Sequence, residues 1–240
     1  GVSKLRVDSI LPIGTGQMAE SYRVKFSQES GEKIESVVVK VPSQNENSRS
    51  ASRTTRCYEL ETSFYSSLRN SLKVDTPKCF HVWYDAPSDD FVLVLEDIKD
   101  ATQGDQITGA TVEQADAAIT QLVNLHAPMW GSEKLEQIVW LPKHSSNVAT
   151  GTGQLLRSVF SGFAERFAEK VDSEIISLGQ RLVSKIDKYY AAFPNVLTVA
   201  HRDFRLDNLL FTSMGNQIGV KVVDWQTVGV MPGASDLGYF

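Results

Sequence analysis

Apolar residues in this chain follow two different periods, and the change from one to the other falls near Asp97. Before it they alternate as strands do. Tyr22, Val24 and Phe26 share one face of Ser21–Phe26, after a turn at Gly14-Thr15-Gly16. Val37-Val38-Val39-Lys40-Val41 is a β-branched run interrupted by a single lysine and stopped by Pro42. Cys79–Tyr84 and Phe91–Glu96 flank Asp85-Ala86-Pro87-Ser88-Asp89, a turn composition that predicts a hairpin. The serine-rich stretch Gln44–Arg53 reads as a loop. One helix is expected in this half, over about Arg56 to Arg69, where Leu60, Phe64 and Leu68 stack at i, i+4 and i+8.

After Asp97 the period is helical. Thr111-Val112-Glu113-Gln114 has the form of a capping box, and Ala115, Ala118, Ile119, Leu122 and Leu125 continue from it at helical spacing. Gly151–Gly153 predicts a break, followed by a helix carrying Leu155, Leu156, Val159, Phe160, Phe163 and Phe167. A third helix is expected from about Asp172 to Ala192, ending before Pro194. Two short apolar segments, Val196–Ala200 and Val220–Val223, close the chain. Strands first and helices second predict an α+β fold in two lobes, residues 1–97 and 98–240.

Charge and composition narrow the partners. With 24 Lys+Arg against 29 Asp+Glu the net charge is −5, which argues against nucleic acid or an anionic membrane as the main partner. Two cysteines, Cys57 and Cys79, are too few for a disulfide framework, so free thiols in a reducing compartment are expected. No apolar run reaches the roughly 18 residues of a membrane-spanning helix, and Gly1–Pro12 lacks the form of a secretory signal. The cytoplasm is the expected location.

The chemistry concentrates in His201-Arg202-Asp203-Phe204-Arg205-Leu206-Asp207-Asn208, between two apolar segments. Sixteen residues after Asn208, Val222-Val223-Asp224-Trp225-Gln226 puts a carboxylate at a strand end. Phosphoryl transfer needs an acidic group at the acceptor hydroxyl and hard oxygen ligands for Mg²⁺ on the phosphates. Asp203 suits the first role, and Asn208 and Asp224 the second. The bland alternative is a pair of polar strand-end turns, since Asp and Asn favour turns; spacing, order and flanking strands together weigh against it.

These residues resemble the kinase superfamily, and within it the aminoglycoside phosphotransferase/choline-kinase-like group, which includes ecdysteroid-kinase-like enzymes. Protein kinases share the H-R-D-x-x-x-x-N spacing. Asp224-Trp225-Gln226, however, departs from D-F-G, and the sixteen residues after Asp224 hold no A-P-E. Leu125-His126-Ala127 and the run from Gly229 to Asp236-Leu237 also look like the small-molecule group.

The resemblance implies a two-lobed protein-kinase-like fold, an N-terminal antiparallel sheet with one helix beside a mainly helical C-terminal lobe. It implies that Gly14 and Gly16 lie over the phosphates of ATP (or GTP), although Ala19 stands at the third glycine of G-x-G-x-x-G. Lys40 matches the lysine that reaches the phosphates, and Glu61, rather than Glu59, the helix glutamate that holds it. Glu96 and Ile98 fall in the hinge whose backbone would hold adenine. His201 is expected to bond neighbouring backbone, Asp236 to order the catalytic loop, and His81, His126 and His144 to be packing or surface residues. Arg202 and Arg205 suit either phosphate or neighbouring acids. Relatives run further through helices that shape the acceptor pocket, so a chain ending at Phe240 is expected to be truncated or unusually short. The implied activity is ATP-dependent phosphorylation of a small-molecule hydroxyl. The rivals are a nucleotide-binding pseudokinase or regulatory module without turnover and, third, a protein kinase.

Overall fold

The computed structural model describes residues 5–14, 16–27, 34–143, 146–194, 196–215 and 217–240. Thr15 and His144 lie outside the described residues. Strands β1 (Arg6–Ile13), β2 (Ala19–Ser27) and β3 (Ser36–Pro42) run antiparallel in sequence order. The turn between β1 and β2 holds Gly14 at φ 73°, a left-handed conformation that strains any residue with a Cβ.

The expected loop at Gln44–Arg53 is instead mostly helix, α1 (Glu46–Thr55). Asn45 caps it, its Oδ1 accepting from the backbone N–H of Asn47 and Ser48 at 2.9 and 3.2 Å, a contribution of about 1 kcal/mol. Ser52 is buried, and Arg49 reaches Asp90 at 2.7 Å. A helix fastened by a cap and polar contacts carries no apolar stripe, so periodicity does not reveal it.

At Arg56 the backbone turns left-handed (φ 60°) and α2 (Cys57–Ser63) begins, so this half carries two helices rather than one. The helix expected over Arg56–Arg69 changes pitch, passing from α2 into a π-helical turn at Phe64–Leu68 and a 3₁₀ turn at Arg69–Ser71. Its stripe holds regardless: Leu60, Phe64 and Leu68 are all buried. The hairpin forms as expected from β4 (Cys79–Asp85) and β5 (Asp90–Glu96), completing a five-stranded antiparallel sheet of order β1-β2-β3-β5-β4.

The second half continues with β6 (Thr102–Gln103), α3 (Val112–His126), α4 (Lys134–Gln137), α5 (Ser146–Phe167), α6 (Ser173–Ser184) and α7 (Ile186–Ala191). The capping box at Thr111 and Gln114 is present, and Ala118, Leu122 and Leu125 are buried while Ile119 is exposed. The break expected at Gly151–Gly153 does not occur, and α5 runs through both glycines. Helices tolerate glycine at roughly 0.5–1 kcal/mol each. Gly153 also admits a close neighbour, because a Cβ there would lie 3.0 Å from the Ile186 side chain. The third expected helix divides at Lys185 into α6 and α7. On α5, Leu155, Val159 and Phe163 are exposed.

The chain closes with β7 (Thr198–Ala200), β8 (Leu209–Met214), β9 (Gln217–Val222), β10 (Gly229–Met231) and α8 (Ala234–Tyr239). β6, β8 and β9 form one small sheet, and β7 pairs with β10. The core is continuous from Phe91 and Leu93 of the large sheet, through Tyr58 and Phe64, to Leu209, Val222 and Trp225. The Phe64 and Trp225 rings stack at 3.8 Å, joining the helical segment after α2 to the residue that follows Asp224. Architecture is therefore α+β, with an antiparallel sheet and its helices first and a mainly helical second half, as expected.

Candidate active site

Register places Lys40 inside the sheet, opposite Ser21 on β2 and Leu93 on β5. Its Nζ lies 2.7 Å from Glu61 Oε2 on α2 and 2.7 Å from Asp224 Oδ1 just beyond β9. Glu59, the competing glutamate, turns instead to Arg56 at 2.8 Å. Burial works against the Lys40 charge, but the Asp224 and Glu61 carboxylates outweigh it and hold the ammonium above its ordinary pKa. Glu61 is only 1% exposed, and burial lifts its carboxyl above the usual range despite Lys40. For Asp224, where burial pulls upward, the Lys40 charge prevails and the pKa falls. The lysine thus ties a helix of the first half to an acidic group of the second.

The loop after β7 carries the other acid. Asn208 Nδ2 donates to both the Asp203 backbone oxygen and Asp203 Oδ2, each at 2.9 Å. Committing that amide nitrogen leaves the Asn208 carbonyl oxygen as a hard donor, while the Asp224 side chain remains 37% exposed. Those two oxygens fit Mg²⁺, which takes one or two protein ligands and completes its shell with phosphate and water. Arg205 resolves toward acids, with Nη1 2.7 Å from Asp207 and Nε 3.4 Å from Asp203. Arg202 and Asp224 both hold positive φ, 69° and 66°, a costly conformation concentrated at functional sites.

Buried groups hold this loop in shape. Asp236 accepts the backbone N–H of His201 and of Arg202, each at 2.8 Å, which is the ordering role expected of it. Its Oδ2 also lies 2.9 Å from His126 Nε2. His126 therefore belongs to a buried polar network, more than the packing or surface residue expected; its only sequence signal is the Leu125-His126-Ala127 likeness. His201 Nε2 meets the Val223 carbonyl at 2.9 Å, and Thr227 donates to the His201 carbonyl at 2.8 Å.

Burial pushes the His201 pKa below its ordinary 6.5. The unfolded chain then binds the extra proton first, so stability is expected to fall as pH drops below about 6.5. Urea denaturation across that range checks this, and His201→Asn should flatten the slope; an unchanged slope would place the titration elsewhere.

Of the remaining expected site residues, Gly14 and Gly16 occupy the β1–β2 turn, and a Cβ on Gly16 would meet the Ala19 carbonyl at 3.1 Å. Glu96 ends β5 and accepts the Lys78 backbone N–H at 3.1 Å. Ile98 follows Asp97, which is clamped by Arg23 at 2.9 Å and Ser36 at 2.6 Å. An open cleft of about 530 Å³ lies beside this segment, lined by Arg23, Ser36, Asp97, Ile98 and Lys99 among others, and does not reach Lys40 or Asp203. Cys57 and Cys79 are free thiols.

Comparison with known proteins gives the fold and the family. The GDP complex of aminoglycoside 2′-phosphotransferase-IIIa superposes with a TM-score of 0.62 at 14% identity, over 98% of this chain and 72% of its own. Choline kinase from Cryptosporidium parvum Iowa II does so at 0.56 and 14%, over 96% of this chain and 61% of its own. At such identities the likeness establishes the fold, which is protein-kinase-like. No curated protein is significantly similar in sequence. The sequence profile of the ecdysteroid kinase-like family matches residues 14–240, a span that runs from the Gly14 turn through Lys40, Glu61, Asp203, Asn208 and Asp224 to the last residue. With nearly the whole chain inside that match and the fold of small-molecule kinases around it, the protein belongs to the ecdysteroid kinase-like family.

Proposed function

We propose that this protein transfers the γ-phosphoryl group of ATP, or of GTP, to a hydroxyl group of a small molecule. One juxtaposition carries the reading: Asp203 and Asn208 are hydrogen-bonded on one loop, and Asp224 meets Lys40 from the large sheet at 2.7 Å. In this reading residues 1–97 form the nucleotide lobe and residues 98–240 the catalytic lobe. Gly14 and Gly16 cover the phosphates, and the backbone at Glu96 and Ile98 receives the base. Lys40, fixed by Glu61, neutralises phosphate oxygens. Asn208 and Asp224 would hold Mg²⁺, which when bound supplies further positive charge to the triphosphate.

Asp203 orients the acceptor hydroxyl and takes its proton. Its side chain is 25% exposed, so an alcohol can reach it, and Asn208 holds the carboxylate in place. The transition state spreads charge over the phosphoryl oxygens and asks little covalent chemistry of the protein, so these fixed charges account for most of the acceleration. A solved neighbour binds GDP and kanamycin and another is a choline kinase, which supports a nucleotide donor and a small acceptor. No helix among the described residues is long and apolar enough to cross a membrane. Use of ATP together with free thiols suits the cytoplasm.

The test pairs binding with transfer. MgATP is expected to raise the melting temperature, as any ligand of the native state does. Radiolabelled ATP should then label at least one alcohol in a panel of aminoglycosides, amino alcohols, sugars and steroids, but not generic protein substrates. Label on protein alone would favour a protein kinase. Stabilisation by MgATP without transfer to any alcohol would favour a nucleotide-binding module.

A further inference from the structure

The loop bearing Asp203 and Asn208 is held from two sides. Asp236 of α8 takes the His201 and Arg202 backbone N–H groups near its start. Its far end, the 3₁₀ turn Leu206–Asn208, leans instead on β6 and the turn that follows it. Gln106 Oε1 accepts the Leu206 N–H at 2.8 Å, and Gln103 Nε2 donates to the Asp207 carbonyl at 2.6 Å. The Gly104 N–H donates to the Leu209 carbonyl at 3.0 Å. That approach needs glycine, because a Cβ on Gly104 would lie 2.4 Å from the Leu206 carbonyl oxygen. Asp105 shapes the turn that carries Gln106, its Oδ1 accepting the N–H groups of Ile107 and Thr108 at 2.8 and 3.1 Å. The backbone on both sides of Asn208 is thus bonded to one strap, residues 103–106.

Gln103 and Gln106 are both exposed, so neither is needed to fill the core. Asn208 is 5% exposed, and its Nδ2 is committed to Asp203. The direction of its remaining amide oxygen therefore follows the backbone of the turn. We propose that Gln106, together with Gln103, is a positioning residue for the metal site. By holding the Leu206 N–H and the Asp207 carbonyl, the pair aims Asn208 Oδ1 at Mg²⁺. The proposal rests on the phosphotransferase reading of Asn208 and Asp224. Hydrogen bonds that fix the direction of a metal ligand are worth nearly as much to a site as the ligand itself. The strap also follows closely on Ile98, so one stretch of chain joins the segment assigned to the base with the turn assigned to the metal.

The experiment needs no knowledge of the acceptor. Melting temperature is followed while Mg²⁺ is titrated at fixed ATP, for the wild type, Gln106→Leu, Gln106→Glu, Gln103→Leu, Asn208→Ala and Asn208→Ala/Gln106→Leu. Gln106→Leu deletes the acceptor and is expected to raise the Mg²⁺ concentration at half the shift roughly 10-fold, the lower end of what a lost support of a metal ligand costs. Gln106→Glu keeps an oxygen at the same reach and should stay near wild type. Gln103→Leu should move in the same direction as Gln106→Leu. With Asn208→Ala in place, Gln106→Leu should add nothing, since the ligand it positions is gone. Hydrogen exchange without nucleotide reads the geometry directly: the Leu206 amide should exchange faster in Gln106→Leu and not in Gln106→Glu. An unchanged Mg²⁺ requirement in both Gln106→Leu and Gln103→Leu, with MgATP still stabilising them, overturns the proposal and leaves the phosphotransferase reading standing. An added loss in the Asn208→Ala background overturns it too. If MgATP does not stabilise the wild type, the phosphotransferase reading falls and the proposal with it.

Discussion

Asp203→Asn is expected to lower kcat by roughly 10²–10⁴-fold, the range for loss of a positioned general base. The substitution keeps the shape of the side chain and an oxygen to accept from Asn208 Nδ2, now at 2.9 Å, so the loop should hold. It removes the negative charge and the basicity that the acceptor proton needs. Nucleotide contacts assigned to Lys40, Asn208 and Asp224 are untouched, so the MgATP melting shift and the nucleotide KM should stay near wild type. Steady-state kinetics with whichever alcohol accepts the phosphoryl group separates the two quantities. Full turnover in Asp203→Asn would remove the role given to this residue. A loss confined to KM would make it a binding group instead.

Lys40→Met is expected to be the most destabilising change at the site, by about 3–5 kcal/mol, the cost of leaving one partner of a buried ion pair alone. The cost falls mainly on Glu61, which is 1% exposed, whereas Asp224 is 37% exposed and can be solvated. With Lys40 gone, the main group opposing burial at Glu61 is lost, and its carboxyl rises further above its ordinary 4.5. A carboxyl whose folded pKa is raised binds its proton more tightly when folded. The variant should therefore regain stability as pH is lowered and lose it as pH rises through the raised value. Urea midpoints across pH measure this, and the Lys40→Met/Glu61→Leu double variant should recover much of the loss. MgATP stabilisation should vanish in both. Retained nucleotide binding in a folded Lys40→Met protein would take the phosphate role from Lys40.

Sequence alone carried the parts that depend on short spacing and strand order. Lys40 stands out because one charge interrupts a β-branched strand, and Asp203, Asn208 and Asp224 because their separations follow a motif with a mechanism. The turn composition of Asp85–Asp89 placed the hairpin from Cys79 to Glu96, and the capping residues Thr111 and Gln114 marked the start of α3. Three local readings failed. Helix α1 is held by the Asn45 cap and polar side chains rather than by an apolar stripe, α5 runs through Gly151 in open space and through Gly153 where Ile186 comes close, and α6 and α7 divide at Lys185 without a breaker residue.

What only the tertiary structure decided is which polar groups face each other. Asp224 lies 184 residues from Lys40, and Asp236 lies 110 from His126, separations at which no local pattern links two side chains. Their pairing follows from packing. Phe64 stacked on Trp225 brings the segment after α2 against the segment carrying Asp224, and α8 folds back beneath the loop at His201. Burial then requires each enclosed charge to find a partner, because an unpaired charge costs far more inside the protein than in water. Sequence chose the chemical groups, and the packing of the two halves made partners of Lys40, Glu61 and Asp224.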